Sequence, residues 1–253
     1  MDAETQSTPL GMVLPPRTRK LRGLWPRLKP WLRWLSYGLA ALAALPFLLT
    51  LLYAIVPPPV SNTMLLQWLR GAGISKTWVS YDKMSPHLVR AVITAEDARF
   101  CGHHGIDWVE FQLVIDEAFD GDDDAPSRGA STIPMQAAKN LFLFDSRSKI
   151  RKALEIPLAY GMDLIWSKRR MAEIYLNIVE WAPGVYGAEA AARFHFNKPA
   201  SRLSRREAAL LAAVLPNPKK RNAGKPSRRV ERAANRILTR MSGMDRYLTC
   251  LQP

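Results

Sequence analysis

From Trp34 to Val56 the chain carries no charged side chain. A run of that kind, at about the 20 residues a helix needs to cross the hydrocarbon core, predicts a single transmembrane span. Trp31, Trp34 and Tyr53 stand near its ends, where amphipathic rings settle at the membrane interface. Pro46 would kink the helix, which a membrane span tolerates. Residues 1–33 hold seven Arg and Lys against Asp2 and Glu4. The positive-inside rule therefore leaves this tail in the cytoplasm and puts everything after Pro57 outside. A cleaved signal peptide is the alternative reading. Against it, the charged region is unusually long and the apolar core exceeds the roughly 7 to 15 residues of such signals. Pro57-Pro58-Pro59 then gives a stiff exit from the membrane.

With 253 residues there is room for one or two domains, and 48% hydrophobic with 23% charged side chains is the composition of an ordered chain. The tail accounts for +5 of the net charge of +14, which leaves +9 for the rest. The exported part is thus basic in its own right and expects an anionic partner. A domain outside the membrane rarely meets nucleic acid, so that partner belongs at the membrane surface, as a headgroup or a phosphorylated substrate. Cys101 and Cys250 have no spacing that reads as a zinc site or a disulfide framework. Four histidines include no His-x-x-x-His pair, and only His103-His104 beside Asp97 leaves an opening for a metal. There is no Gly-rich phosphate loop and no dinucleotide fingerprint, so nothing calls for an organic cofactor.

The stretch that concentrates chemistry follows Ser85-Pro86, a fitting N-cap and first residue for a helix. Leu88, Val92 and Ala95 recur there at helical spacing, and Glu96 falls on the same apolar stripe. A carboxylate so placed is poorly hydrated, which raises its pKa toward the range a general base needs. The plainer reading is a weak one-turn pair with Arg99. Thr63 to Arg70 reads as a short apolar helix, and Trp78 to Tyr81 as a short extended piece. Trp108 to Phe119 carries an aromatic stripe, which fits either core packing or a face dipping into the membrane. Gly121 to Ser127 is an acidic loop. Ser131 or Thr132 caps the next helix, Pro134 suits its first turn, and free N–H groups at such a start attract phosphate. Arg147, Lys149, Arg151 and Lys152 lead to Glu155. Lys168 to Asn177 is amphipathic, with Met171, Ile174, Tyr175 and Ile178 inward. Ser204-Arg205-Arg206-Glu207 is a capping box, and a basic helix from about Arg228 to Met241 follows. No convincing strand appears, and the fold class is mainly α.

Five of these segments together resemble the motifs of one family, the monofunctional biosynthetic peptidoglycan transglycosylases, related to the glycosyltransferase domain of class A penicillin-binding proteins. Glu96-Asp97-Ala98-Arg99-Phe100 with His103 and Gly105 is similar to the first motif. Gly129-Ala130-Ser131-Thr132-Ile133 through Gln136 resembles the second, and Arg151-Lys152-Ala153-Leu154-Glu155 the third. Lys168 through Glu173 to Tyr175-Leu176-Asn177 resembles the fourth, and Gly184 to Gly187 with Ala191 the fifth. They stand in the family's order across about residues 80 to 215. One departure is that Met135 occupies a place often held by Gln, and a thioether cannot donate a hydrogen bond.

The resemblance implies a lysozyme-like large lobe and a small membrane-proximal lobe, preceded by one transmembrane helix. It divides the chain into a basic cytoplasmic tail (1–33), the span (34–56), a membrane-proximal linker (57–80) and a glycosyltransferase domain (81–245). It implies polymerisation of lipid II into glycan strands at the bacterial inner membrane, the catalytic domain being periplasmic. In that reaction a sugar 4-hydroxyl attacks the anomeric carbon of an undecaprenyl-pyrophosphate-linked chain, with inversion. By match to the motifs Glu96 is the base and Glu155 the second carboxylate. Lys139 and Arg147 face the pyrophosphate, with Arg151 and Lys152 beside them, and Ser131, Thr132, Gln136 and Asn140 bind substrate. The implied partners are lipid II, the growing glycan chain, membrane lipids, and penicillin-binding proteins or divisome components. No cofactor is required, and a divalent cation, magnesium or manganese, is left open. The competing readings are a lytic transglycosylase or muramidase, and a non-catalytic cell-wall scaffold.

Overall fold

A computed structural model describes residues 25–119, 131–144 and 148–251. The first part of the basic tail, the acidic loop Gly121 to Ser127, Gly129, Ala130 and Arg147 lie outside the described residues. The chain divides into two compact units, Met1–Ala44 and Leu45–Pro253. The first helix, α1, spans Trp25–Tyr53, so it already includes basic residues of the tail. In the first unit Trp31, Trp34, Leu35, Leu39 and Leu42 are all exposed. Pro30–Tyr53 is long and apolar enough to cross a membrane, and such a surface is at rest in lipid rather than in water.

The second unit is mainly α, as expected. Its helices after the last turns of α1 are α2 (Asn62–Leu69), α3 (Pro86–Glu96), α4 (Trp108–Phe119), α5 (Ile133–Phe142), α6 (Lys149–Ile165), α7 (Lys168–Ile178), α8 (Ala188–Phe196), α9 (Arg205–Val214) and α10 (Arg228–Met241). The core forms where α3 packs on α9 and α10, and α5 on α6 and α7. Ala208, Ala209, Ala212 and Ala213 of α9 are buried. Their small side chains let the α3 backbone approach closely, because interaxial distance follows the residues at the contact. The Ser204 capping box at α9 is present with both of its hydrogen bonds.

Three departures from the sequence reading have local causes. First, there is a small sheet in the order β1-β3-β2, built from β1 (Ser75–Lys76), β2 (Glu180–Ala182) and β3 (Val185–Tyr186). Strands β1 and β3 are parallel, with Ser75 opposite Val185, and β2 and β3 are antiparallel. Strands this short have no readable two-residue period. The extended piece after β1 is held by a side chain instead, since Asn177 accepts from Val79 N–H at 2.9 Å and donates to its carbonyl at 2.8 Å.

Second, Ser85 occupies the N-cap of α3 without capping it. Its hydroxyl donates to Leu203 C=O at 2.8 Å and ties the helix start to the segment entering α9. Third, Cys101 and Cys250 form a disulfide, with their Cα atoms 5.6 Å apart. Their separation of 149 residues hides the pairing in the sequence, because only the fold brings the turn after Glu96 against the C-terminal turn Thr249–Leu251.

Gly105 fixes how α6 meets the loop after α3. It has φ +78°, and a Cβ there would lie 2.9 Å from the Ala159 backbone. Only glycine meets both conditions.

Closing so long a loop constrains the unfolded chain. Cys250→Ser is expected to lower unfolding free energy by about 2–5 kcal/mol, as read by urea denaturation. Reduction of the wild type should give the same loss and reduction of the variant none; equal stability of all four samples would show the bridge to be idle.

Candidate active site

Helix α3 ends on Glu96, and the loop beyond it is held by Asp97. The buried Asp97 carboxylate accepts from His103 Nε2 at 2.9 Å and from Ile133 N–H at 2.9 Å. Thus the end of α3 is fastened to the start of α5. Lys168 secures the same loop, donating to His103 C=O at 2.7 Å while paired with Asp163 at 2.6 Å. Arg99 pairs with Asp107, not with Glu96, so the weak one-turn pair is not formed.

Glu96 instead accepts a hydrogen bond from Gln136 Nε2 at 2.9 Å, and the same amide's Oε1 accepts from Tyr175 Oη at 2.8 Å. Tyr175 is fully buried on α7. Its hydroxyl fixes which end of the amide faces Glu96, because a flipped amide would present oxygen to a carboxylate. Burial pushes the Glu96 carboxyl above its ordinary value; Gln136 opposes the rise, Asp97 adds to it, and the charges of Lys139 and Arg221 oppose it. Burial, with Glu96 and Asp97 nearby, holds the Tyr175 phenol well above its ordinary value, so it stays a donor.

Two hollows open on this carboxylate, and a third begins beside it at Gln136. One of about 480 Å³ is lined by Glu96, Asp97, Arg99, Asp107, Glu110, Ser131, Thr132 and Arg240. A second, about 250 Å³, shares Ala95, Glu96 and Arg240 with it. The third, about 640 Å³, begins at Gln136 and holds Lys139 and Asn140, with Asn62, Gln67, Glu180 and Lys219 on its other walls. Ser131 accepts from Lys152 Nζ at 2.6 Å, and that ammonium lies 3.2 Å from the buried Glu155 carboxylate. Arg151 is the second cation on Glu155. Burial, with Arg151 and Lys139 close by, lowers Lys152 to about 8 even beside Glu155.

The structure therefore brings Glu96, Gln136, Lys139, Asn140, Ser131, Lys152, Arg151 and Glu155 into one connected region. Thr132 also lines it, but its hydroxyl accepts from Met135 N–H at 3.3 Å and donates to Gly105 C=O at 2.6 Å. From Ile133 to Gln136, the start of α5 has no N–H left for a phosphate. Ile133 N–H goes to Asp97, Pro134 has none, Met135 N–H goes to Thr132 Oγ1, and Gln136 N–H goes to the Thr132 carbonyl. Met135 is only 1% exposed and packs with Ile106 and Ala159, so its thioether fills a dry site where no polar contact is missing. On α4 the core reading does not hold for the first turn, since Trp108 and Val109 are each 50% exposed.

The residues that sequence reasoning missed are Tyr175, Arg221 and Arg240. Tyr175 sits on an apolar helical stripe, where a phenol and a plain ring give the same pattern. The two arginines are lost among many others in a basic chain.

If the Tyr175–Gln136 relay supports the charged form of Glu96, removing it should raise the carboxyl pKa further. In Gln136→Leu, and by less in Tyr175→Phe, the Glu96 titration midpoint followed by ¹³C NMR is expected to move to higher pH. A midpoint unchanged in both variants would remove the relay from the site.

A family model described as Transglycosylase matches residues 62–242. Among similar proteins, the biosynthetic peptidoglycan transglycosylase of Rhizobium etli is 47% identical over 91% of this chain and 98% of its own length. That of Agrobacterium fabrum is 50% identical over 84% and 93%, and that of Rhodopseudomonas palustris 50% over 85% and 90%. With the matched span covering Glu96, Gln136, Lys139, Glu155 and Tyr175 alike, the chain belongs to the transglycosylase family.

Proposed function

We propose that this peptidoglycan transglycosylase polymerises lipid II, and that Glu96 is the base that activates the acceptor hydroxyl. The observation that carries the reading is a poorly hydrated carboxylate, oriented by Gln136, where hollows large enough for sugar units meet a cationic wall. A carboxylate with a raised pKa is better matched to a weakly acidic hydroxyl than an ordinary one. In the step, the 4-oxygen of one sugar bonds to the anomeric carbon of the lipid-linked chain from the face opposite the pyrophosphate. Its proton passes to Glu96, the carbon–oxygen bond to the pyrophosphate breaks, and the electron pair leaves with the phosphate. Configuration at the anomeric carbon inverts.

The leaving group gains charge, so cations count most on its side. Lys139 on the wall of the large hollow fits that role, with Arg147 as its expected companion. Lys152 and Arg151 hold Glu155 next to Ser131. A carboxylate so neutralised fits the positioning of a donor sugar rather than proton abstraction. The apolar helix Pro30–Tyr53 fits a single-pass anchor in the cytoplasmic membrane, with the second unit outside. The disulfide agrees with that side, since such bridges persist in oxidising compartments. The exposed Trp108, Val109 and Leu113 fit a face that reaches the lipid from which the substrate is drawn.

Glu96→Gln keeps shape and removes the base, so glycan synthesis from lipid II is expected to fall at least ~10²-fold. Near-normal polymer from this variant would end the assignment. Release of fragments from purified sacculi would instead favour the lytic reading. The pH profile should rise as Glu96 ionises, above the usual carboxylate range, and fall above about 8 as Lys152 loses its proton. Lys152→Arg is expected to remove the alkaline fall, and an identical profile would take Lys152 out of the mechanism. Running the assay with and without chelator reads the contribution of a divalent cation.

A further inference from the structure

The hollow of about 250 Å³ is distinct in character from the one that holds Lys139. Its floor is Ala95, Ala212, Ala213 and Pro216, and its walls carry Arg221, Arg229, Arg236 and Arg240. Glu96 is the only acidic side chain lining it. Arg229, Ala233, Arg236 and Arg240 recur at steps of four, three and four along α10, so they share one helical face. The stripe runs for about 16 Å at the helical rise, with Ala233 as a gap between the guanidinium stems. The other face, Val230, Ala234 and Met241, is buried.

Several nearby arginines are engaged elsewhere. Arg206 pairs with Glu231, Arg90 with Asp245, and Arg205 donates to Leu238 C=O and Ser242. Arg221 is held at one end by Ala213 C=O at 2.8 Å. Among the described residues, no acidic side chain pairs with Arg229, Arg236 or Arg240. Like charges one turn apart, such as Arg236 and Arg240, disfavour their helix. A converging set without counter-charge, opening onto a base, is built for an oxyanion, which guanidinium forks bind bidentately.

We propose that this hollow is a second anion subsite, which takes the phosphate or carboxylate carried by the sugar unit whose hydroxyl is delivered to Glu96. It rests on the polymerase reading above and adds a residue-level division of labour. Lys139 lies in a different hollow and faces the leaving group, whereas the α10 arginines seat the incoming unit. The stripe holds an anion at a fixed reach from Glu96, so it sets which hydroxyl arrives there.

The test compares Arg236→Gln/Arg240→Gln with Arg228→Gln/Arg232→Gln, a pair that removes equal charge from α10 outside the hollow. Initial polymerisation rates are measured against lipid II concentration, with equilibrium binding of lipid II to each protein measured alongside. The first pair is expected to raise KM about tenfold or more while lowering kcat less, and to weaken binding in step. The control pair should change both by less than about twofold. Repeating the series with a peptide-free lipid-linked disaccharide separates the two sources of the anion. A penalty that persists assigns the pyrophosphate, and one that disappears assigns the peptide carboxylates. An unchanged KM in the first pair, or an equal rise in the control pair, overturns the subsite. If the wild type makes no polymer while the binding difference stands, the polymerase reading fails and the anion subsite does not.

Discussion

An ionisable carboxylate at the end of an apolar helix is the constraint around which this structure is arranged. Water would hydrate Glu96 strongly, and α3 takes much of that water away by packing Leu88, Val92 and Ile93 into the core. Left alone, the group would stay protonated and useless as a base. The surroundings return only part of what hydration supplied, as one amide hydrogen bond from Gln136 and the more distant charges of Lys139 and Arg221. The balance leaves the carboxyl above its ordinary value. A direct ion pair would have overshot, lowering its affinity for a proton, and the candidate one turn away in sequence, Arg99, pairs with Asp107 instead.

Glu155 shows the opposite solution. It is more completely buried than Glu96 by surface, but two cations from its own helix, Arg151 and Lys152, lie against it. Two carboxylates in one region thus have contrasting environments, one with a neutral hydrogen-bond partner and one with ionic partners. Under the proposed reaction the first suits proton transfer and the second positioning.

Much of this was legible in the chain because it depended on local pattern. The stripe leading to Glu96 and the inward residues of α7 are periodic signals, the Ser204 box is a four-residue one, and each appears at its expected place. The apolar run is helical too, although its helix runs from Trp25 to Tyr53 rather than from Trp34 to Val56. What could not be read depended on the meeting of distant segments. The Cys101–Cys250 bridge, the Asn177 clamp on Val79 and the Ser85 bond to Leu203 join residues 149, 98 and 118 positions apart. The phosphate expected at the start of α5 fails for a related reason. Sequence shows which N–H groups a helix leaves open, but not that Asp97, 36 positions earlier, has already taken one. Met135 makes the same point from the other side: a missing donor matters only where the site is wet, and this one is dry.

Helix α7 ties these observations together mechanically. Near its start Arg170 donates to Tyr53 C=O at 3.0 and 2.9 Å, capping the last turn of α1 with a positive charge where helix carbonyls lack partners. Trp166, just before α7, donates to Thr50 C=O at 2.8 Å. Five residues after Arg170, about 7.5 Å along the axis, Tyr175 holds the amide that holds Glu96. One buried and well-packed helix therefore carries both the grip on residues 45–53 and the orientation of the base. Under the proposed polymerisation, with substrate drawn from a bilayer, the proton acceptor has to keep a fixed height above the lipid pyrophosphate. A single rigid element bearing both contacts achieves that without a long-range network, since a helix interior transmits position with little slack.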